Sequence, residues 1–165
     1  MRAVMRALFL DGSLSVRTLA PPEPSPGEAL IRVRVSGICN TDVELARGYM
    51  DFRGVPGHEF VGDVIAVGDA ADAAWVGRRV VGEINLGCQR CARCRCAMSR
   101  HCATRTVLGI LAKDGAHAEF VTLPVVNLHA VPDGVSDASA VFVEPLAAAY
   151  EVIEQTPVEP NSRAV

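Results

Sequence analysis

Four cysteines, Cys88, Cys91, Cys94 and Cys102, follow one another in the spacing C-x2-C-x2-C-x7-C. Thiolates this close in sequence can converge on one tetrahedral ion without help from the rest of the chain, and a closed four-sulfur set is the usual site of structural zinc. With every coordination position filled by protein, none is left for a substrate. The cluster predicts a zinc-stabilised lobe over residues 85–106 rather than a centre of chemistry. The six cysteines could instead be read as a disulfide framework. No secretion signal accompanies them, so metal binding or catalysis is the better reading. Cys96 could stand in for a neighbouring ligand, but the regular set leaves it a spare thiol. Cys39 lies apart from the others.

At 165 residues the chain is one domain by size and can bury a real core. Half of its residues are hydrophobic and 21% are charged, the balance of a soluble globular protein. A net charge of -3 provides no global field toward nucleic acid or an anionic membrane. No apolar run approaches the ~20 residues of a membrane span. The basic N-terminus has an apolar stretch of only residues 7–10, ending at Asp11-Gly12. That is too short for a signal peptide and reads as a first strand. A cytoplasmic protein is expected.

Residues 29–35 read A-L-I-R-V-R-V. Ile31, Val33 and Val35 alternate with Arg32 and Arg34, the period of a half-buried strand. Pro21, Pro22, Pro24 and Pro26 before it form an extended loop closed by Gly27. Further strand signals cover residues 60–67, 78–84, 117–123 and 125–131, separated by Gly and Pro turns. The pattern predicts a mainly β fold, a barrel or sandwich. The C-terminal part is helical. Ser136 suits an N-cap and Pro145 a first helical position, so Glu144 falls at a break between two helical pieces. Pro157 and Pro160 end the helix.

Three groups lie at the ends of these elements: Gly37-Ile38-Cys39-Asn40-Thr41-Asp42 after a strand, Gly57-His58-Glu59-Phe60-Val61-Gly62 before one, and Glu144-Pro145-Leu146. They offer a thiolate, an imidazole and a carboxylate. Three protein ligands and one open position define a catalytic zinc site, which can polarise an alcohol or carbonyl oxygen. Taken singly, each has a plainer reading. A cysteine after a strand is commonly a small core residue, a histidine before one a hydrogen-bonded structural group, and a glutamate in a first helical turn a partner of the helix dipole.

The order of these motifs around the four-cysteine lobe resembles the zinc-dependent medium-chain dehydrogenase/reductase family, the alcohol, sorbitol, threonine and glucose dehydrogenases. The resemblance covers the chain from its first strand to Ile153. It implies a GroES-like β-barrel catalytic domain over residues 1–155, with 156–165 leading toward a nucleotide-binding domain. It implies catalytic zinc at Cys39, His58 and Glu144, and structural zinc at Cys88, Cys91, Cys94 and Cys102. Glutamate at the third position is similar to the polyol, threonine and sugar branch. Glu59 matches a glutamate that approaches the metal in some relatives, and Thr41 the hydroxyl that starts the proton relay. Asp42 matches a structural position and reads as a loop-capping carboxylate. Glu44 stands where several members carry a relay histidine, and reads as a solvated helix charge.

The resemblance further implies an NAD- or NADP-dependent oxidation of a small alcohol, polyol or sugar by a homo-oligomer, a dimer or tetramer. The nucleotide fingerprint G-x-G-x-x-G does not occur in these residues. The chain is therefore expected to be a piece of a longer enzyme, to bind zinc, and to turn nothing over alone. Strands missing from the barrel should leave an exposed edge.

Two rivals remain. Arg90, Arg93, Arg95, Arg100 and Arg105 around the cysteines could contact phosphate, as in a nucleic-acid-binding zinc ribbon. The acidic overall balance and the absence of interleaved aromatics oppose this, and the arginines can instead offset the excess charge of four thiolates. The other rival is a non-catalytic GroES-like module for assembly or partner binding, which has no need of Cys39, His58 and Glu144.

Overall fold

A computed structural model describes residues 3–156 and 161–163. An N-terminal hairpin pairs β1 (Met5–Leu10) with β2 (Leu14–Leu19) across the Asp11-Gly12 turn. The main sheet has five antiparallel strands: β3 (Glu28–Gly37), β4 (Glu59–Val67), β5 (Arg79–Gly82), β8 (Phe120–Pro124) and β9 (Leu128–Ala130), in the order β8-β3-β4-β5-β9. A short hairpin, β6 (Asn85–Leu86) with β7 (Thr106–Val107), frames the cysteine lobe. Residues 117–119 stitch the first hairpin to the sheet. Leu8 N–H donates to His117 O at 2.8 Å, Glu119 N–H to Arg6 O at 3.1 Å, and Val33 N–H to Glu119 O at 3.0 Å. The mainly β class expected from the sequence is the one observed.

Period-2 alternation explains the core. Ile31, Phe60, Val64, Val80, Val121 and Leu123 point from successive strands into one cluster, closed by Leu108 and Leu128. Burial of each such side chain stabilises by ~1.5–3 kcal/mol. The alternation in β3 fails at one place. Ile31 is buried and Arg32 and Arg34 are exposed as expected, but Val35 is 36% exposed. The β3–β4 register shifts between Val33 and Val35, and the resulting bulge turns Val35 outward.

Three expectations are corrected. Residues 125–131 are not one strand: Val125–Asn127 is a 3-10 turn, and only Leu128–Ala130 pairs. Buried Asn127 sits there because its side-chain amide donates to Glu83 O and Asn85 O at 2.9 and 3.0 Å. The strand expected over 117–123 begins at Phe120, since 117–119 serve the hairpin instead. Pro145 is the third residue of α4 (Val143–Gln155), not the first. The first intrahelical bond there runs from Leu146 N to Phe142 O, so a residue without an N–H is still tolerated at 145. The expected stop at Pro157 and Pro160 lies outside the described residues.

Ser136 does cap α3 (Asp137–Ala140), accepting from Ser139 N–H at 3.2 Å. Asp137 pins this helix to the sheet through Arg34 at 2.7 Å and Arg79 at 2.8 Å. Ala140 packs on Val61 and Val81, so α3 delivers α4 and its Glu144 to one end of β4 and β5.

Candidate metal centres

The lobe between β6 and β7 has almost no core of its own. Cys102 is its one buried hydrophobic residue, and the buried apolar clusters resume only at Leu86 and Leu108. What converges instead is sulfur. The four Sγ atoms of Cys88, Cys91, Cys94 and Cys102 lie within 4.8 Å of one another. Cys91 Sγ is 3.6 Å from Cys94 Sγ and 3.9 Å from Cys102 Sγ. A tetrahedral zinc with 2.3 Å bonds sets neighbouring sulfurs ~3.8 Å apart, so the donor set fits that ion, and no pair is at disulfide distance. Backbone N–H of Cys88 and the hydroxyl of Thr104 draw the Cys102 thiol down to about 6. Burial and then the neighbouring Cys91 push the Cys94 thiol up to about 12. One sulfur is thus a ready thiolate near neutrality, while another must lose a proton on loading.

Cys39 ends the loop after β3 and caps α1 (Asn40–Ala46). Its Sγ accepts from Thr41 N–H at 3.2 Å, and its own N–H donates to Asp42 Oδ2 at 2.9 Å. Buried Leu45 anchors the helix against Leu10 and Phe52. His58 directly precedes β4 and Glu59 opens it, 4% and 7% exposed. Cys39 Sγ and His58 Nε2 stand 3.1 Å apart, about half an ångström inside the ~3.6 Å that one tetrahedral zinc would impose. The Glu59 carboxylate completes a group whose ligand atoms all lie within 4.8 Å. Gly37 makes room for it, since a Cβ there would come 2.5 Å from Glu59 Oε2.

Glu144 is not in that group. It sits half-buried in the first turn of α4, lining a cavity of about 440 Å³ with Glu83, Arg100, His129 and Glu151. Burial, then the Glu59 and Glu83 charges, raise its carboxyl above the ordinary glutamate value. Glu144 therefore borders the group and feels the charge of Glu59, whose carboxylate lies with Cys39 and His58. Thr41 is half-buried beside Cys39, on the first turn of α1. Glu44 pairs with Arg47 at 2.8 Å on the outer side of the same helix.

Asp42 is both cap and neighbour of the imidazole: its Oδ1 is 3.9 Å from His58 Nδ1. Burial opposes its charge, but hydrogen bonding with His117 and with the Cys39 backbone, and the His117 and His58 charges, hold it below the ordinary aspartate value. Burial holds the His58 ring below the ordinary histidine value, against the pull of Asp42 and Glu59. A neutral ring with its Nδ1 turned to a carboxylate leaves Nε2 free as a metal donor. His117, in contact with Asp42 at 3.5 Å, was not singled out from the sequence. A titratable ring amid the small residues Gly115, Ala116 and Ala118 was the signal available.

Residues 25–133 match the alcohol dehydrogenase GroES-like domain family. The chain belongs to that family, and the resemblance to the zinc-dependent medium-chain dehydrogenases/reductases holds. L-threonine 3-dehydrogenase of Chelativorans sp. BNC1 is 39% identical over 153 residues, covering 88% of this chain and 44% of that protein. The fold is similar to an alcohol dehydrogenase (rspB) from Escherichia coli CFT073 in complex with NADH, with a TM-score of 0.86 and 34% identity over 92% of this chain and 45% of that one. It is also similar to the alcohol dehydrogenase TADH from Thermus sp. ATN1, with a TM-score of 0.82 and 33% identity over 91% and 47% of the two chains. The chain spans about 45% of the length of the curated relatives it matches. These relatives are oxidoreductases. Among the described residues, no helix is long and apolar enough to cross a membrane.

Proposed function

We propose that this chain is the catalytic part of a cytoplasmic, zinc-dependent dehydrogenase that oxidises a small alcohol, polyol or sugar hydroxyl. NAD or NADP would be held by the remainder of a homo-oligomeric protein. The observation carrying this reading is the convergence of Cys39 Sγ, His58 Nε2 and the Glu59 carboxylate, with Glu144 beside them. Cys39 and His58 would hold a zinc ion with Glu144 or Glu59 as third ligand, while the four-cysteine set would hold a second, structural ion. A zinc ion in the open site supplies a Lewis acid that lowers the pKa of an alcohol.

The remaining work belongs to the chain. Asp42 keeps His58 in the tautomer that presents Nε2. Thr41, two residues after Cys39, is the hydroxyl that would accept the hydrogen bond of the substrate alcohol and pass its own proton on, starting a relay. The nicotinamide, held elsewhere in the full-length protein, would supply the acceptor for the carbinol hydride, and the hydroxyl proton would leave separately through Thr41 toward solvent. Exposed Phe142, Leu146, Tyr150 and Ile153 along α4, each 55–62% exposed, support a further body of protein packed on that helix. The test is NAD- and NADP-dependent oxidation of a panel of alcohols, polyols and 3-hydroxy amino acids by the full-length protein. Turnover is expected, and His58→Ala should lower kcat by on the order of a hundredfold or more. Equal rates in the variant and the parent would contradict the assignment.

A further inference from the structure

Three buried polar atoms meet behind the Cys39–His58 pair, on the side away from the metal donors: Asp42 Oδ1, His58 Nδ1 and His117 Nε2. Asp42 Oδ1 stands between the two rings, 3.5 Å from His117 and 3.9 Å from His58. The other nitrogen of His117 is fully engaged, with Nδ1 2.8 Å from Ser36 Oγ. Ser36 Oγ in turn lies 3.3 Å from the carbonyl of Glu59. His117 N–H donates to Pro56 O at 3.0 Å, and the His117 ring lies against Gly57, where a Cβ would fall 2.7 Å from it. His117 thus touches the backbone just before His58 and the carboxylate behind it, and it reaches the Glu59 side only through Ser36.

The hydrogen assignment follows from the partners. An ionised Asp42 offers only acceptors, so the His117 nitrogen facing it carries the proton. Nδ1 is then an acceptor for the Ser36 hydroxyl at 2.8 Å, which uses the single proton of that hydroxyl and leaves its 3.3 Å approach to Glu59 O a contact without a hydrogen bond. Oδ2 is taken by Cys39 N–H, while Oδ1 faces His117 Nε2 at 3.5 Å and His58 Nδ1 at 3.9 Å, within ion-pair reach of both rings and without a well-formed hydrogen bond to either. A free aspartate would turn about its side-chain bonds and lose that alignment.

We propose that His117 is a positioning residue of the open metal site: through Asp42 and Ser36 it fixes the orientation of the His58 ring and the backbone that carries it. This rests on the reading of Cys39 and His58 as ligands. Partners of ligating histidines that lie outside the coordination sphere commonly change metal affinity 10- to 100-fold.

The test is zinc competition against a chelator, resolving the two sites of the chain. His117→Phe keeps the ring volume and removes both polar atoms. It should weaken the Cys39 site by about 10-fold, with the four-cysteine site unchanged as an internal control of folding. His117→Gln, which retains a donor, should recover most of that loss. In an Asp42→Asn background, His117→Phe should add little, because the two act through one contact. A purely structural role would lower the melting midpoint and leave zinc affinity within twofold in every variant, which would overturn the proposal. So would equal effects of His117→Phe in the two backgrounds. A parent chain that binds only the four-cysteine ion would overturn the ligand reading itself, and this inference with it.

Discussion

Stripping zinc from the four-cysteine set is expected to open residues 88–105 to trypsin while the barrel stays folded. The lobe contributes only Cys102 to the buried hydrophobics, whereas Leu86 and Leu108 on either side remain in the main cluster. A lobe without a core would derive its order from an ion held by the four cysteines, and in small structural sites that binding is worth ~10–16 kcal/mol near neutrality. Cleavage at Arg90, Arg93, Arg95, Arg100 and Arg105 should accelerate on the order of a hundredfold after chelation, with amide protection retained in β3 and β4. Cys102→Ser should behave like the chelated protein. Loading must also displace the proton of Cys94, whose thiol is pushed up to about 12. Zinc affinity should therefore fall as pH is lowered and rise toward alkaline pH. Unchanged cleavage after complete zinc removal would refute this account of the lobe.

Gly57→Ala is expected to destabilise the chain by about 3–5 kcal/mol, combining left-handed strain with overpacking. Gly57 has φ +99°, a conformation costly for any L side chain. A Cβ would also meet the His117 backbone nitrogen and ring at 2.7 Å. That nitrogen cannot retreat. His117 N–H is bonded to Pro56 O at 3.0 Å, and the adjacent Ala116 N–H to Gly57 O at 2.8 Å. Against the ~5–15 kcal/mol of a typical domain, the loss is large, about 10 °C or more in Tm. It should be accompanied by weaker zinc binding at the Cys39 site, because the strain falls on the residue before His58. A Tm within 2 °C of the parent, read by thermal denaturation, would show that the loop accommodates the side chain.

Where the sequence was legible and where it was not follows from the physics of each position. The four cysteines could be read directly, because their chemistry needs only proximity along the chain. The strand at Ile31 was legible because alternation reports burial. The strand Leu14–Leu19 was not, because Leu14 and Val16 point outward at 44% and 72% exposure and the usual signal is inverted. The end of β3 was misread because a bulge flips Val35, and no periodicity announces a bulge. Cys39 and His58 were legible only through the order of motifs around them, since each alone has a plain structural reading. The partition between Glu59 and Glu144 depends on how far α4 lies from β4, which spacing cannot convey. His117 lies 75 positions from Asp42 in sequence, and only barrel closure through residues 117–119 brings the two together.

The proposed function requires a second, open metal site at Cys39 and His58, apart from the closed four-cysteine one. Metal counting on the purified chain tests it most directly. Two zinc ions per chain are expected in the parent and one in Cys39→Ser, with the lobe still resistant to trypsin. One ion per chain in the parent, unaffected by Cys39→Ser, would contradict it.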